Sequence, residues 1–122
     1  MTSKTILVVD DDVDIRGSLR DFLEDEGYAV SEAAHGADAL RHLREHPATS
    51  LILLDLMMPI MDGYRFRTEQ TRDPAIASIP VIVMTARGGL KTEDIDVEQV
   101  LQKPLKLHSL LEAIRRAERT MP

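Results

Sequence analysis

TILVVDDDVDI, residues 5–15, sets five strand-forming residues directly against four aspartates in the next five positions. Like charges repel, and Asp is a poor former of strands and helices alike. The apolar run therefore reads as a β-strand, and the acids mark where it ends.

Working outward, similar runs recur: YAVSEA at 28–33, LILLD at 51–55, PVIVMT at 80–85 and a short VLQ at 100–102. LILLD and PVIVMT lack polar alternation, as expected of parallel strands covered on both faces. Helical patterns lie between and after them. Ile15, Leu19, Phe22 and Leu23 share one helical face, and Leu107, Leu110, Leu111 and Ile114 share another. Gly27 is placed to stop the first helix. Strand and helix alternating over 122 residues predict one α/β domain, residues 1–122, with a parallel sheet and right-handed crossovers.

Composition narrows the function. Lys and Arg number 15 against 21 Asp and Glu, a formal charge of −6, which argues against direct nucleic-acid binding or adsorption to anionic lipid. No cysteine is present, which excludes disulfides, thiolate metal sites and a cysteine nucleophile. No apolar run approaches a membrane span and no signal peptide is evident, so a cytoplasmic protein without membrane insertion is expected. His35, His42, His46 and His108 are read as solvated side chains away from the strand ends.

In open parallel sheets, ligands bind beyond the carboxyl ends of the strands. Asp10, Asp11 and Asp12 follow the first strand, Asp55 ends the third, Thr85 ends the fourth, and Lys103-Pro104 follow the fifth. If these converge, the carboxylates cannot all ionise together without a raised pKa or a cation. A hard divalent ion such as Mg²⁺, or alternatively Mn²⁺, would meet that need through oxygen ligands. Open positions on the ion would suit phosphoryl oxygens, and Lys103 and Thr85 would add a charge and a donor.

Other readings of the acids fare worse. An EF-hand loop beginning at Asp10 would need Gly where Ile15 stands and Glu where Asp21 stands. Helix capping accounts for Asp12 or Asp14 but leaves Asp10 unexplained. A hydrolase with an aspartyl nucleophile would want a second acid two residues past Asp55, where Met57 stands; Asp10 and Asp12 have that spacing. A flavin carrier would find little to stack on with two Tyr, two Phe and no Trp.

ILVVDDD, LILLDLMMPIMDG, IPVIVMTA and LQKPL, in this order and at these separations, resemble the receiver domain of two-component response regulators, over essentially the whole chain. The resemblance implies a flavodoxin-like, doubly wound, five-stranded parallel sheet in the order 2-1-3-4-5 with helices on both faces. It implies that Asp55 accepts a phosphoryl group from a histidine kinase or a histidine phosphotransfer protein. Asp10 and Asp11 match the acidic pair that organises Mg²⁺ with Asp55, and Met57 matches the position whose backbone carbonyl completes the metal site. Thr85 and Lys103 match the hydroxyl and the lysine that bind the phosphoryl group, and a cis Lys103-Pro104 bond is implied. Ala86 would leave room above Asp55. Pro59, Asp62 and Gly63 read as a loop and helix start, with Asp62 as the cap.

Two departures from the family stand out. The aromatic residue usual three positions before the lysine is here Val100, which has no phenol and little reach. The stretch between Thr85 and Lys103, with Gly88-Gly89 and EDID, predicts a fourth helix that is short or mobile and an atypical surface beside the fifth strand. Met57 and Arg87 flank the site where they could tune the lifetime of the phosphoryl group.

The expectation is a phosphorylation switch that signals to an unidentified output protein as a monomer or a weak, phosphorylation-dependent dimer. It catalyses only its own phosphorylation and dephosphorylation. A pseudo-receiver, binding partners without phosphoryl chemistry, is the competing expectation. The chain ends soon after the last helical pattern, which fits a single-domain regulator or a receiver cut from a longer protein.

Overall fold

The structure, a computed structural model, describes residues 4–86, 91 and 95–119. In chain order these form β1 (Thr5–Val9), α1 (Val13–Asp25), β2 (Ala29–Ala33), α2 (Gly36–Glu45), β3 (Leu51–Asp55), α3 (Gly63–Arg72), β4 (Val81–Thr85), β5 (Gln99–Gln102) and α4 (Leu107–Ala117). The helix expected between β4 and β5 falls largely on residues 87–90 and 92–94, outside the described residues, as does Arg87.

All strand pairs are parallel, in the order β2-β1-β3-β4-β5, so the predicted order holds. β1, β3 and β4 take central places because their runs are apolar on both faces. Side chains alternate across the sheet. Leu7, Val9, Ile52, Leu54, Val81 and Val83 pack with Ala39, Leu43 and Phe66 of α2 and α3. Ile6, Val8, Leu53, Ile82 and Met84 pack with Leu19, Leu23, Leu110 and Ile114 of α1 and α4. Deleting a fully buried side chain such as Phe66 would cost about 3–5 kcal/mol.

Local chemistry sets where the helices begin and end. Asp12 caps α1, its carboxylate accepting from the N–H groups of Asp14 (2.9 Å) and Ile15 (3.2 Å). Asp62 caps α3 by accepting from Arg65 N–H at 2.9 Å, as expected. The first helix stops at Gly27, whose φ of 96° is left-handed. At Gly63 a Cβ would come within 2.9 Å of Leu56 Cα, so only glycine fits where α3 abuts the end of β3.

Two expectations need correction. Leu107 is 47% exposed, and the buried face of α4 is Leu110, Ala113, Ile114 and Ala117. Periodicity gave the phase of that face, but Leu107, in the first turn of α4, lines an open groove with Ile15, Leu19 and Leu105 instead of being buried. His35 is not simply solvated: it follows β2 closely and caps α2, its Nδ1 accepting from Asp38 N–H at 3.3 Å. His42 and His46 stack with ring centroids 4.4 Å apart, and burial followed by its neighbour His46 lowers the pKa of His42. His46 and His108 are exposed.

Among the described residues, no helix is long and apolar enough to cross a membrane.

Candidate functional site at the carboxyl edge

β1 and β3 are neighbours, and each spends its last strand positions on buried apolar residues before delivering an aspartate. Asp10 is fully buried and Asp55 is 5% exposed, while Asp11 stands at the exposed side. One oxygen from each of the three carboxylates lies within 4.8 Å of the others.

Hydrogen bonds hold Asp10 from several directions. Its N–H donates to the Ala33 carbonyl at 3.1 Å, and its Oδ1 accepts from Asp12 N–H at 2.9 Å. Its Oδ2 pairs with Lys103 Nζ at 2.9 Å, and the same ammonium lies 3.5 Å from Asp55 Oδ1. Lys103 reaches the site from the turn after β5, where its N–H donates to the Thr85 carbonyl at 2.7 Å and its bond to Pro104 is cis.

Electrostatics follow from this crowding. Burial, then the charge of Asp10, push the Asp55 carboxyl up to about 6, with Asp11 adding to the effect; Lys103 and a 3.4 Å bond from Met57 N–H oppose it. Burial pulls the Lys103 ammonium down, but hydrogen bonding and attraction from Asp10, then Asp55, outweigh it and leave its pKa raised. One ammonium thus stands against three carboxylates. A hard, oxygen-only donor set with this shortage of positive charge fits a hard divalent cation.

Other predicted residues take their places less directly. Thr85 is fully buried at the end of β4, one residue beyond Met84, the register partner of Asp55. Met57 is 64% exposed, and its backbone N–H donates to Asp55 Oδ1 at 3.4 Å. Ala86 is exposed and lines, with Ile15, Leu19, Pro104, Leu105 and Leu107, a groove of about 600 Å³ that reaches Lys103. Val100 is half-buried beside Val83 and packs on the side of the sheet that α2 and α3 cover.

Arg16 is the residue that sequence reasoning passed over. Its Nη1 donates to the Asp10 carbonyl at 2.7 Å and its Nε pairs with Glu32 Oε1 at 3.2 Å. A basic residue one helical turn past the cap was the only available signal; Glu32 could not be connected to it before β2 was known to lie beside β1. At the β3–α3 loop, Ile60 is 77% exposed and holds a φ of 70°, a conformation that β-branched residues avoid.

Comparison with known proteins bears on this arrangement. The family model described as the response regulator receiver domain matches residues 6–115. Response regulator Rre1 of Synechocystis sp. is 40% identical over 85 residues, which are 69% of this chain and 36% of that protein. Protein PilG of Pseudomonas aeruginosa is 34% identical over 115 residues, covering 90% of this chain and 84% of that protein. The structure of chemotaxis protein CheY4 of Vibrio cholerae superposes with a TM-score of 0.87 at 26% identity, covering 95% of this chain and 99% of that one. The chain spans 36%, 34% and 48% of the length of three curated relatives.

Proposed function

The chain belongs to the response regulator receiver family, and on that premise we propose that it is a phosphorylation switch with Asp55 as phosphoacceptor. The observation that carries this reading is the juxtaposition of Asp55 with Asp10, Asp11 and the Lys103 ammonium at one strand edge. The donor is a phosphohistidine of a histidine kinase or phosphotransfer protein. Residues 1–122 act as one cytoplasmic receiver domain, as a monomer or a weak, phosphorylation-dependent dimer, and pass the signal to an output protein.

An Asp55 carboxylate oxygen attacks the phosphorus, forming an O–P bond as the N–P bond breaks, and the departing imidazole nitrogen takes up a proton. Lys103 Nζ exchanges its pairing with Asp55 and Asp10 for phosphoryl oxygens, and the Thr85 hydroxyl donates to another. Asp10, Asp11, Asp55 and the Met57 carbonyl would hold Mg²⁺, or Mn²⁺, which when bound neutralises charge on the phosphoryl oxygens. Attack by water on the acyl phosphate returns the carboxylate and inorganic phosphate. Phosphorylation then needs to shift the balance between two surface conformations by only a few kcal/mol.

Intact mass after incubation with acetyl phosphate, with and without Mg²⁺, tests the reading. A Mg²⁺-dependent gain of one phosphoryl group that vanishes in Asp55→Asn is expected. No gain under any condition, with a direct phosphohistidine donor included, would overturn it in favour of a constitutive binding module, the direction in which Val100 points.

A further inference from the structure

We propose that Arg16 is a positioning residue for the cation site, acting through the Asp10–Asp11 peptide group and itself held by Glu32; this rests on the metal-assisted reading above. The carbonyl that Arg16 engages belongs to the peptide linking the two acids that flank the ion. Asp10 is already fixed at its N–H by Ala33, at Oδ1 by Asp12 N–H and at Oδ2 by Lys103 Nζ. The carbonyl is the remaining handle, and its orientation decides where the Asp11 carboxylate points. Arg16 Nη1 holds it at 2.7 Å.

A guanidinium suits this task because its donors are coplanar and rigidly spaced, so one side chain grips two acceptors in a fixed relation. Its Nε engages Glu32 Oε1 at 3.2 Å on β2, and the other Glu32 oxygen accepts from Arg20 Nη1 at 2.9 Å. The Arg16 side chain is only 15% exposed, so α1, β2 and the end of β1 enclose the fork. Glu32 in turn sits opposite Val8 in the β1–β2 register, which ties the clamp to the sheet.

Position and charge make opposite demands here. As a positive charge near three carboxylates, Arg16 disfavours a cation, and removing it should tighten binding. As a clamp on the Asp10–Asp11 peptide, it favours the cation, and removing it should weaken binding. The sign of the change identifies the role.

Calorimetric titration of MgCl₂ into the full chain, for wild type, Arg16→Gln, Arg16→Lys and Glu32→Gln, reads that sign directly. Thermal unfolding in chelator reports separately on the fold. Arg16→Gln is expected to weaken Mg²⁺ binding about 10-fold despite losing a positive charge. Glu32→Gln should move in the same direction, and Arg16→Lys, which keeps the charge but not the fork, should fail to restore wild-type affinity. Mg²⁺ binding by Arg16→Gln as tight as wild type or tighter would overturn the proposal, as would wild-type affinity in Arg16→Lys. Should Arg16→Gln fail to fold, Arg16→Lys, which keeps the charge, decides alone, because Glu32→Gln weakens cation binding through its lost charge as well as through position. Asp11→Asn is the control: if wild type takes up no Mg²⁺, or Asp11→Asn binds it equally well, the cation site itself is wrong and the proposal falls with it.

Discussion

At the amino end of the sheet, Gln70 donates from Nε2 to the carbonyls of Ile76 (2.9 Å) and Ile79 (3.0 Å), and Thr5 N–H meets Ser50 Oγ. At the carboxyl end of the same strands, three carboxylates share one ammonium. These amino-end contacts pair neutral donors with neutral acceptors, which stabilises the fold. The carboxyl end withholds that balance and keeps charge concentrated at the site proposed to take a cation and a phosphoryl group. Substitutions at the two ends should therefore shift stability in opposite directions.

The largest effect is expected from Gln70→Ala. It strips partners from two carbonyls around a fully buried side chain, and urea unfolding should show a loss of about 3 kcal/mol. Phosphoryl acceptance by the folded fraction should be unchanged. Asp55→Asn should break the pattern the other way: an amide of the same shape relieves a charge that burial and Asp10 oppose, for a gain of about 1–2 kcal/mol in Mg²⁺-free buffer at neutral pH. A loss of stability in that variant would mean that Lys103 already compensates the cluster.

Ile60→Gly removes a β-branched side chain from left-handed backbone at the carboxyl end, and about 1 kcal/mol of stabilisation is expected by thermal unfolding. The smallest effect lies at the amino end, where Tyr28 Oη donates to Glu118 Oε1. Burial, then the Glu118 bond, raise the Tyr28 phenol from 10.0 to about 12. Because the folded-state value is the higher one, the contribution of this bond is complete below pH 10.0 and is lost as pH rises through about 12. Tyrosinate absorbance should show one phenol titrating late in wild type and absent in Tyr28→Phe, which should otherwise cost about 0.5 kcal/mol at neutral pH.

Much of the fold was legible because central parallel strands must be apolar on both faces, and LILLD and PVIVMT can hardly be anything else. The acidic pair and Asp55 were legible because they stand at the ends of such runs, whereas Lys103 follows the short, partly exposed edge strand β5 and stood out only through its place among the four motifs. Arg16 and Glu32 were not, since their meeting depends on which strands are neighbours, a property of the whole sheet. Tyr28 and Glu118 are 90 positions apart and carry no local pattern that joins them. The exposure of Leu107 was not legible because a helical repeat defines a face but not how deeply each turn of it is buried. His35 was missed as a cap because an imidazole is an uncommon substitute for a short polar side chain there.

The reach of Lys103 has a consequence for how the protein comes into being. Its ammonium joins Asp10 across 93 positions of sequence, and β3 and β4 lie between the strands that carry them. A chain emerging from the ribosome displays Asp10, Asp11 and Asp55 long before it can supply the lysine, and contacts of such separation close late. On the proposed reading, chains that stop short of Lys103 carry the acceptor Asp55 without the ammonium that would bind the phosphoryl oxygens, so the site is complete only with a finished sheet.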